Sequence, residues 1–403
     1  MERFEGEDQV VTVEYEPVSV KSVLIEMKDT AELLIDLAYS AVLDRNEDLA
    51  REVLRLETRM DVLELRARMS LLMAVRKPDD AEQLAPVLGI VNAAGDISDA
   101  AADVAKIVLE EIGLPEAMRA AIPEAVETLQ RGVIDEDSPY AGRTLQEIDL
   151  ESDTGVRVLA IRRGEQWLHS PGPNTALEPE DVVLLRGPEA TIGDVLETVT
   201  QSSYAGLPEV SPEIGDLERA VDTIVHMKNV SELAVDLAYS SVLFDNAELA
   251  AEVNNLEVEV DALQSRFEAW TLRAAADSGD PVALRGLIRF GNCTERISDA
   301  AIDISEGVLR GMEVHPVVRL AVEESDEIMA RVVIEAGSTL DGATIADGIP
   351  DRGPSMNVLA IRRPDVGWLL VADAEVTVQP EDVLIAKGTR TAAERLRENS
   401  RTT

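Results

Sequence analysis

The side chains best placed for chemistry are carboxylates at helical spacing. In "ELLIDLAYSAVL" the polar groups Glu32, Asp36 and Ser40 fall at i, i+4 and i+8, on one edge of an otherwise apolar helix. Glu-x-x-x-Asp recurs at Glu57/Asp61, Glu232/Asp236, Glu257/Asp261 and Glu295/Asp299, the last extended by Asp303. Like charges at i, i+4 destabilise an isolated helix by a few tenths of a kcal/mol. One reason to place them so is a cation, because paired carboxylate oxygens suit hard ions such as Mg²⁺, Ca²⁺, Mn²⁺ or iron. The expected metal ligands are Glu32, Asp36, Asp99, Asp103, Glu232, Asp236, Glu295, Asp299 and Asp303; in the first set Gly95 replaces the glutamate. The competing reading is a solvated seam, since acid is abundant throughout.

A second group is basic. "VLAIRR" occupies 158–163 and again 358–363. On a strand neighbours point to opposite faces, so Arg162 and Arg163 cannot share one site, nor can Arg362 and Arg363. One arginine per strand, with Arg157 or Asn357 nearby, is suited to a small anionic ligand. Alternatively these arginines sit at a strand end and neutralise nearby acid. No catalytic constellation accompanies them: His169, His226 and His315 lie far apart without counterparts, and Cys293, just ahead of an acidic helix, fits a packing role. The expectation is no enzyme.

The elements that must position these groups come twice. "ELLIDLAYS" at 32–40 returns at 232–240 as "ELAVDLAYS", "ISDAAAD" at 97–103 as "ISDAAID" at 297–303, and "LEPEDVVLLRG" at 177–187 as "VQPEDVLIAKG" at 378–388. The chain is a tandem duplication of a two-part unit. The first part is helical, with apolar spacings of three and four over about 19–43, 46–75 and 80–112, and a short fourth helix over 115–131. Short connections favour an antiparallel bundle. The second part changes to short β-rich runs between Gly, Pro and Asp and closes with a helix, a small α+β module. The expected division is a leader at 1–18, a bundle at 19–130, a β-rich domain at 131–200, a linker at 201–213, a bundle at 214–330, a β-rich domain at 331–396 and a tail at 397–403. The fold class is multidomain, α and α+β.

Composition narrows the partners. The 403 residues carry 78 Asp plus Glu against 37 Lys plus Arg, a net charge of −41, and only 3% aromatics. Self-repulsion of that size is largely screened only near 1 M salt, where the Debye length is roughly 3 Å. This points to a cytoplasmic, halophilic protein. Nucleic acid would be repelled, no apolar run approaches the roughly 20 residues of a membrane span, and "MERFEGEDQV" lacks a signal peptide's basic and apolar regions.

Two families are resembled. The helices with Glu-x-x-x-Asp and "GDISDAAADVAK" or "TERISDAAIDISE" look like PhoU domains, three-helix bundles that regulate phosphate uptake and carry metal ions on such motifs. The block from Gly142 or Gly342 through "VLAIRR" to "PEDV" resembles the RCK-C or TrkA-C ligand domain of potassium-channel regulators. Glu180 and Glu381 stand where that family commonly has glycine, and the turn is expected not to need a positive φ. Some members bind cyclic dinucleotides across a two-fold pair of these domains; Asn357 and Pro171 match parts of that pattern, one in each copy. The resemblance implies ligand-binding roles for Arg157, Arg162, Arg163, Pro171, Asn357, Arg362 and Arg363, and a haloarchaeal-type PhoU and TrkA-C regulator of potassium or cation transport. A PhoU-type regulator of phosphate uptake is the alternative. No GxGxxG is present, so no NAD site of the Rossmann kind is expected. The implied partner is a cation channel or transporter subunit, or the phosphate transport machinery, with the two units forming an internal pseudo-dimer or a homo-oligomer.

Overall fold

A computed structural model describes residues 20–114, 127–150, 154–164, 166–169, 171–204, 215–278, 281–312, 327–344, 357–364, 366–370 and 376–402. The first bundle is α1 (Val20–Asp44), α2 (Glu47–Ala74) and α3 (Pro78–Leu109). Asn46 caps α2, its side chain accepting from the Asp48 and Leu49 amides, and Pro78 opens α3 where a missing N–H costs nothing. The first β-rich domain contains β1 (Glu127–Val133), the short α4 (Leu145–Ile148), β2 (Arg157–Arg163), β3 (Gln166–His169), β4 (Val182–Pro188) and α5 (Glu189–Thr200). The second unit repeats this with α6 (Asp216–Leu243), α7 (Ala247–Asp277) and α8 (Arg285–Leu309). It continues with β5 (Glu327–Val333), β6 (Asn357–Arg363), β7 (Gly367–Leu370), β8 (Val383–Thr389) and α9 (Arg390–Asn399). The fourth helix expected over 115–131 is corrected at its end: Glu127–Arg131 is strand, paired with β4, and 115–126 lies outside the described residues. The leader and most of the linker also lie outside them.

Both sheets are antiparallel, in orders β1-β4-β2-β3 and β5-β8-β6-β7. Alternation sorts each strand's side chains to two faces. Leu129, Ala160 and Leu184 join the helical core, with Trp167 against it. Ile161, Val183 and Leu185 face the other way, onto Ile192, Val195 and Val199 of α5. Each sheet therefore lies between its own helix and the bundle, as Ala360, Trp368, Val383 and Ile385 repeat in the second unit.

The two bundles share one continuous apolar core. Helices α3 and α8 run antiparallel: the Gly286 amide donates to the Gly113 carbonyl at 2.9 Å, while at the other end Gly307 meets Pro86. A Cβ at Gly286 would fall 2.0 Å from the Ile112 carbonyl oxygen, and one at Gly307 2.7 Å from Pro86, so only glycine permits this approach. The duplicated positions also trade volume. Ala67 and Val91 of the first bundle become Phe267 and Gly291, and the phenyl ring fills the place a Gly291 Cβ would take, 2.3 Å away.

Candidate functional site

The joint between sheet and bundle is charged at its centre. Glu52 sits on the inward side of α2 among Leu49, Val53 and Leu56, with its side chain 0% exposed. It accepts from Arg131 Nε of β1 at 3.0 Å and from Arg162 of β2 through Nε at 2.9 Å and a terminal nitrogen at 2.8 Å. Arg55, one turn along α2, adds a contact at 2.8 Å. Burial alone would raise the carboxyl's pKa, but hydrogen bonds from Arg162 and Arg131 outweigh it and hold the group below its ordinary value. The second unit repeats the arrangement. Glu252, 3% exposed, accepts from Arg331 Nε at 2.9 Å and from Arg362 at 2.8 and 3.0 Å, with Asn255 at 2.9 Å in the place of Arg55. Its pKa is lowered in the same way, burial again being outweighed by Arg362, Asn255 and Arg331.

The neighbouring arginines point away, as strand alternation requires. Arg163 forks onto Asp181 at 2.8 and 2.7 Å and donates to the Ala176 carbonyl at 2.9 Å; Arg363 does the same to Asp382 at 2.9 and 2.7 Å and to the Thr377 carbonyl at 2.8 Å. Both aspartates are buried and also accept a backbone amide, from Glu178 and Gln379 at 2.8 Å. These contacts close the "PED" turn onto the strand. The turn does need a left-handed residue, correcting the sequence expectation: φ is 72° at Glu180 and 70° at Glu381. The carboxylate of the following aspartate fixes the turn through its amide contact. Holding a non-glycine residue left-handed costs about 1–2 kcal/mol.

Thus Arg162, Arg163, Arg362 and Arg363 each face a carboxylate of the chain itself. Of the other expected ligand residues, Arg157 is exposed on β2 opposite Arg186 of β4, and Pro171 is half-buried beyond β3. Asn357 starts β6 opposite Lys387, but its side chain lies outside the described residues. His315 lies outside them too. His169 is on the bundle-facing side of β3 beside the Glu26–Arg59 pair, and burial, foremost, lowers its pKa. Cys293 lies within α8 rather than ahead of it, and burial pushes its thiol up to about 11.

The acidic stripes divide into two settings. On α1 and α6 they meet across the inter-bundle seam, but lysines of the chain sit in them: Lys28 contacts Glu32 at 2.6 Å and Lys228 contacts Glu232 at 2.8 Å. Lys228 also lies 5.5 Å from the Tyr39 ring centre, and Arg186 of β4 holds Asp36 at 3.1 Å. Asp236 of the second unit acts on Lys28, and Asp36 of the first on Glu232, so α1 and α6 cross with the two stripes opposed.

Between α2 and α3 the units part company. In the first, Asp103 takes Lys106 at 3.4 Å and, from α8 of the second unit, Arg289 at 3.2 Å and Arg296 at 3.1 Å, and its pKa is lowered because these cations outweigh burial. A Cβ at Gly95 would fall 3.1 Å from the Glu64 carboxylate. The carboxylate missing from α3 thus comes from α2, where Arg68 pairs with it. In the second unit Gln264 and Glu295 exchange those roles. Glu257, Glu295 and Asp299 there have raised pKa values, from burial first and then from each other and Asp261. Glu57, Asp61 and Glu64 of the first unit are likewise raised, burial again first, so the difference lies at Asp103 and Asp303. Asp303 is raised by burial, Glu306 and Asp96. Among the described residues no three Asp, Glu, His or Cys side chains converge in a metal-holding group. Lysines of the chain sit in the α1 and α6 stripes and arginines on Asp103, so those carboxylates are already paired with cations of the chain.

Sequence reasoning missed Glu52 and Glu252. The signal available was a charged residue repeated 200 positions apart inside an apolar helical stripe, matched by Arg131 and Arg331. None of the described helices is long and apolar enough to cross a membrane.

The PhoU domain family model matches residues 24–108 and 224–308, and the TrkA-C domain model matches 129–199 and 329–401. No curated protein matches the chain. Among solved structures, PhoU from Pseudomonas aeruginosa aligns over 72% of this chain and 96% of its own, at 16% identity and TM-score 0.40. The GsuK channel bound to NAD aligns over 68% of this chain and 52% of its own, at 14% identity and TM-score 0.18. The GsuK RCK domain aligns over 80% and 88%, at 14% identity and TM-score 0.17.

Proposed function

We propose that this chain, in which two PhoU domains alternate with two TrkA-C domains, is a regulatory protein that controls potassium or other cation transport in response to a small anionic ligand. The observation that carries the reading is the repeated joint: each TrkA-C domain is fastened to its PhoU bundle by one buried glutamate between two strand arginines. A domain that only decorated the surface would not be held through a buried ion pair in both copies. The TrkA-C domains receive the ligand, the bundles carry the change to a transport protein in the cytoplasm, and no bond is made or broken. Arg157 and Pro171 of the first copy and Asn357 of the second are the candidate ligand contacts. A TrkA-C ligand of the cyclic dinucleotide or nucleotide class supplies the anionic groups an exposed arginine recognises.

A second reading, regulation of phosphate uptake, is favoured by the weight of the PhoU part. The bundles form the body of the molecule and the contact between its two units. Calorimetric titration in multimolar potassium chloride, paired with potassium and phosphate uptake in a deletion strain, separates the two. Saturable heat with a cyclic dinucleotide or nucleotide, and altered potassium uptake, is the expected result. Absence of heat with altered phosphate uptake would replace the first reading by the second.

A further inference from the structure

We infer that Glu52 and Glu252 are two independent latches, each holding its sheet on its own bundle in an all-or-none manner. Three features of the joint lead there. One carboxylate receives both arginines, from the two strands that flank β4, so neither strand can lift without stripping the other partner from the same group. The carboxylate is buried, so a half-open state leaves an uncompensated charge in an apolar setting, the most costly outcome for such a pair. The latch lies on α2 and α7, whereas the two units hold each other through α3 with α8 and α1 with α6. Releasing a sheet therefore leaves the shared core of the bundles intact.

The variation around the latch supports the same assignment. Arg55, half exposed, becomes Asn255 in the second unit, while the glutamate and both strand arginines recur. The third partner is interchangeable, and the two-strand clamp is not. Strand β2 also carries Arg157 five residues before Arg162, so a ligand that turns this strand acts directly on the clamp. That last step rests on the ligand-sensing function proposed above. The latch itself does not.

The test uses the full chain in high potassium chloride, without ligand or transporter, so its failure is distinct from failure of the proposed function. Backbone hydrogen exchange is followed in Glu52→Gln, Glu252→Gln and, as a control that removes only the third partner, Arg55→Ala. Glu52→Gln should speed exchange in β1 and β2 by about tenfold or more, equivalent to about 1.4 kcal/mol of local opening. The second sheet and the centres of α3 and α8 should stay at wild-type rates. Glu252→Gln should give the mirror result, and Arg55→Ala no change in either sheet. Should Glu52→Gln not fold, Arg131→Lys carries the comparison with a smaller rise in the same strands. Unchanged exchange in the strands, or an equal rise through both units and the α3–α8 core, overturns the inference.

Discussion

The two halves of this chain are alike at the joint and unlike along the seam between the second and third helices. At the joint, Glu52 and Glu252 meet the same pair of strand arginines with distances that agree closely. Along the seam, Lys106 becomes Glu306, Arg68 becomes Glu268 and Gly95 becomes Glu295. Asp103 is met by Lys106 and, across from the other unit, by Arg289 and Arg296 of α8, whose first-unit counterparts are Gly89 and Asp96; Asp303 instead faces Glu306 and Asp96. Duplication began with two equal seams. What was retained is the coupling of sheet to bundle; what drifted is surface electrostatics, where a charge can change sign at a cost of about 1 kcal/mol or less.

The strongest way to break this contrast is at the joint. Glu52→Gln and Glu252→Gln should each loosen their own sheet from the bundle by about 3 kcal/mol, because two half-buried guanidinium groups lose their shared counter-charge. Denaturant unfolding in potassium chloride measures this, and a large effect in one half only would show that the joints are not equivalent. Next in size is the packing exchange. Ala67→Phe alone should cost about 1–3 kcal/mol by overpacking against Val91, and adding Val91→Gly should recover most of that in a thermal melt.

The two regions should also answer acid in opposite senses. The latch carboxyls are held below their ordinary value, so their stabilisation is present above the unfolded-state pKa and is lost as pH falls through the folded one. Glu257, Glu295, Asp299 and Asp303 are raised, as are Glu57, Asp61 and Glu64, so the folded state takes up protons first and mild acidification stabilises these seams. A pH series should show stability rising slightly before it falls, and a monotonic fall would refute this division. A smaller effect is expected from Glu306→Lys, which copies Lys106: a gain of up to about 1 kcal/mol at low salt that fades in molar potassium chloride. The smallest is Glu180→Gly. Relief of the left-handed strain and the greater freedom of the unfolded chain nearly cancel, leaving a change within about 1 kcal/mol by equilibrium unfolding.

The alternation of bundle and β-rich domain was legible because it rests on local signals: the change of apolar period, Asn46 and Asn246 as caps, and the 200-residue repeat. The opposed directions of Arg162 and Arg163 followed from strand geometry. Their partners did not, since nothing local says that an α2 glutamate 110 positions earlier lies under β2. The turn at Glu180 was misread because a glutamate favours negative φ in isolation, and the Asp181 carboxylate that stabilises the turn is fixed by Arg163 from another strand. The strand at Glu127–Arg131 reads locally as the end of a helix, because its ladder partner, β4, lies more than fifty residues onward.

A double-mutant cycle on Glu52 and Arg162, repeated on Glu252 and Arg362, reads the coupling between sheet and bundle directly. Interaction energies of about 2 kcal/mol or more in both halves are expected for contacting members of one buried network. Additive single-mutant effects in either half would mean that the sheet rests on the bundle without being fastened to it.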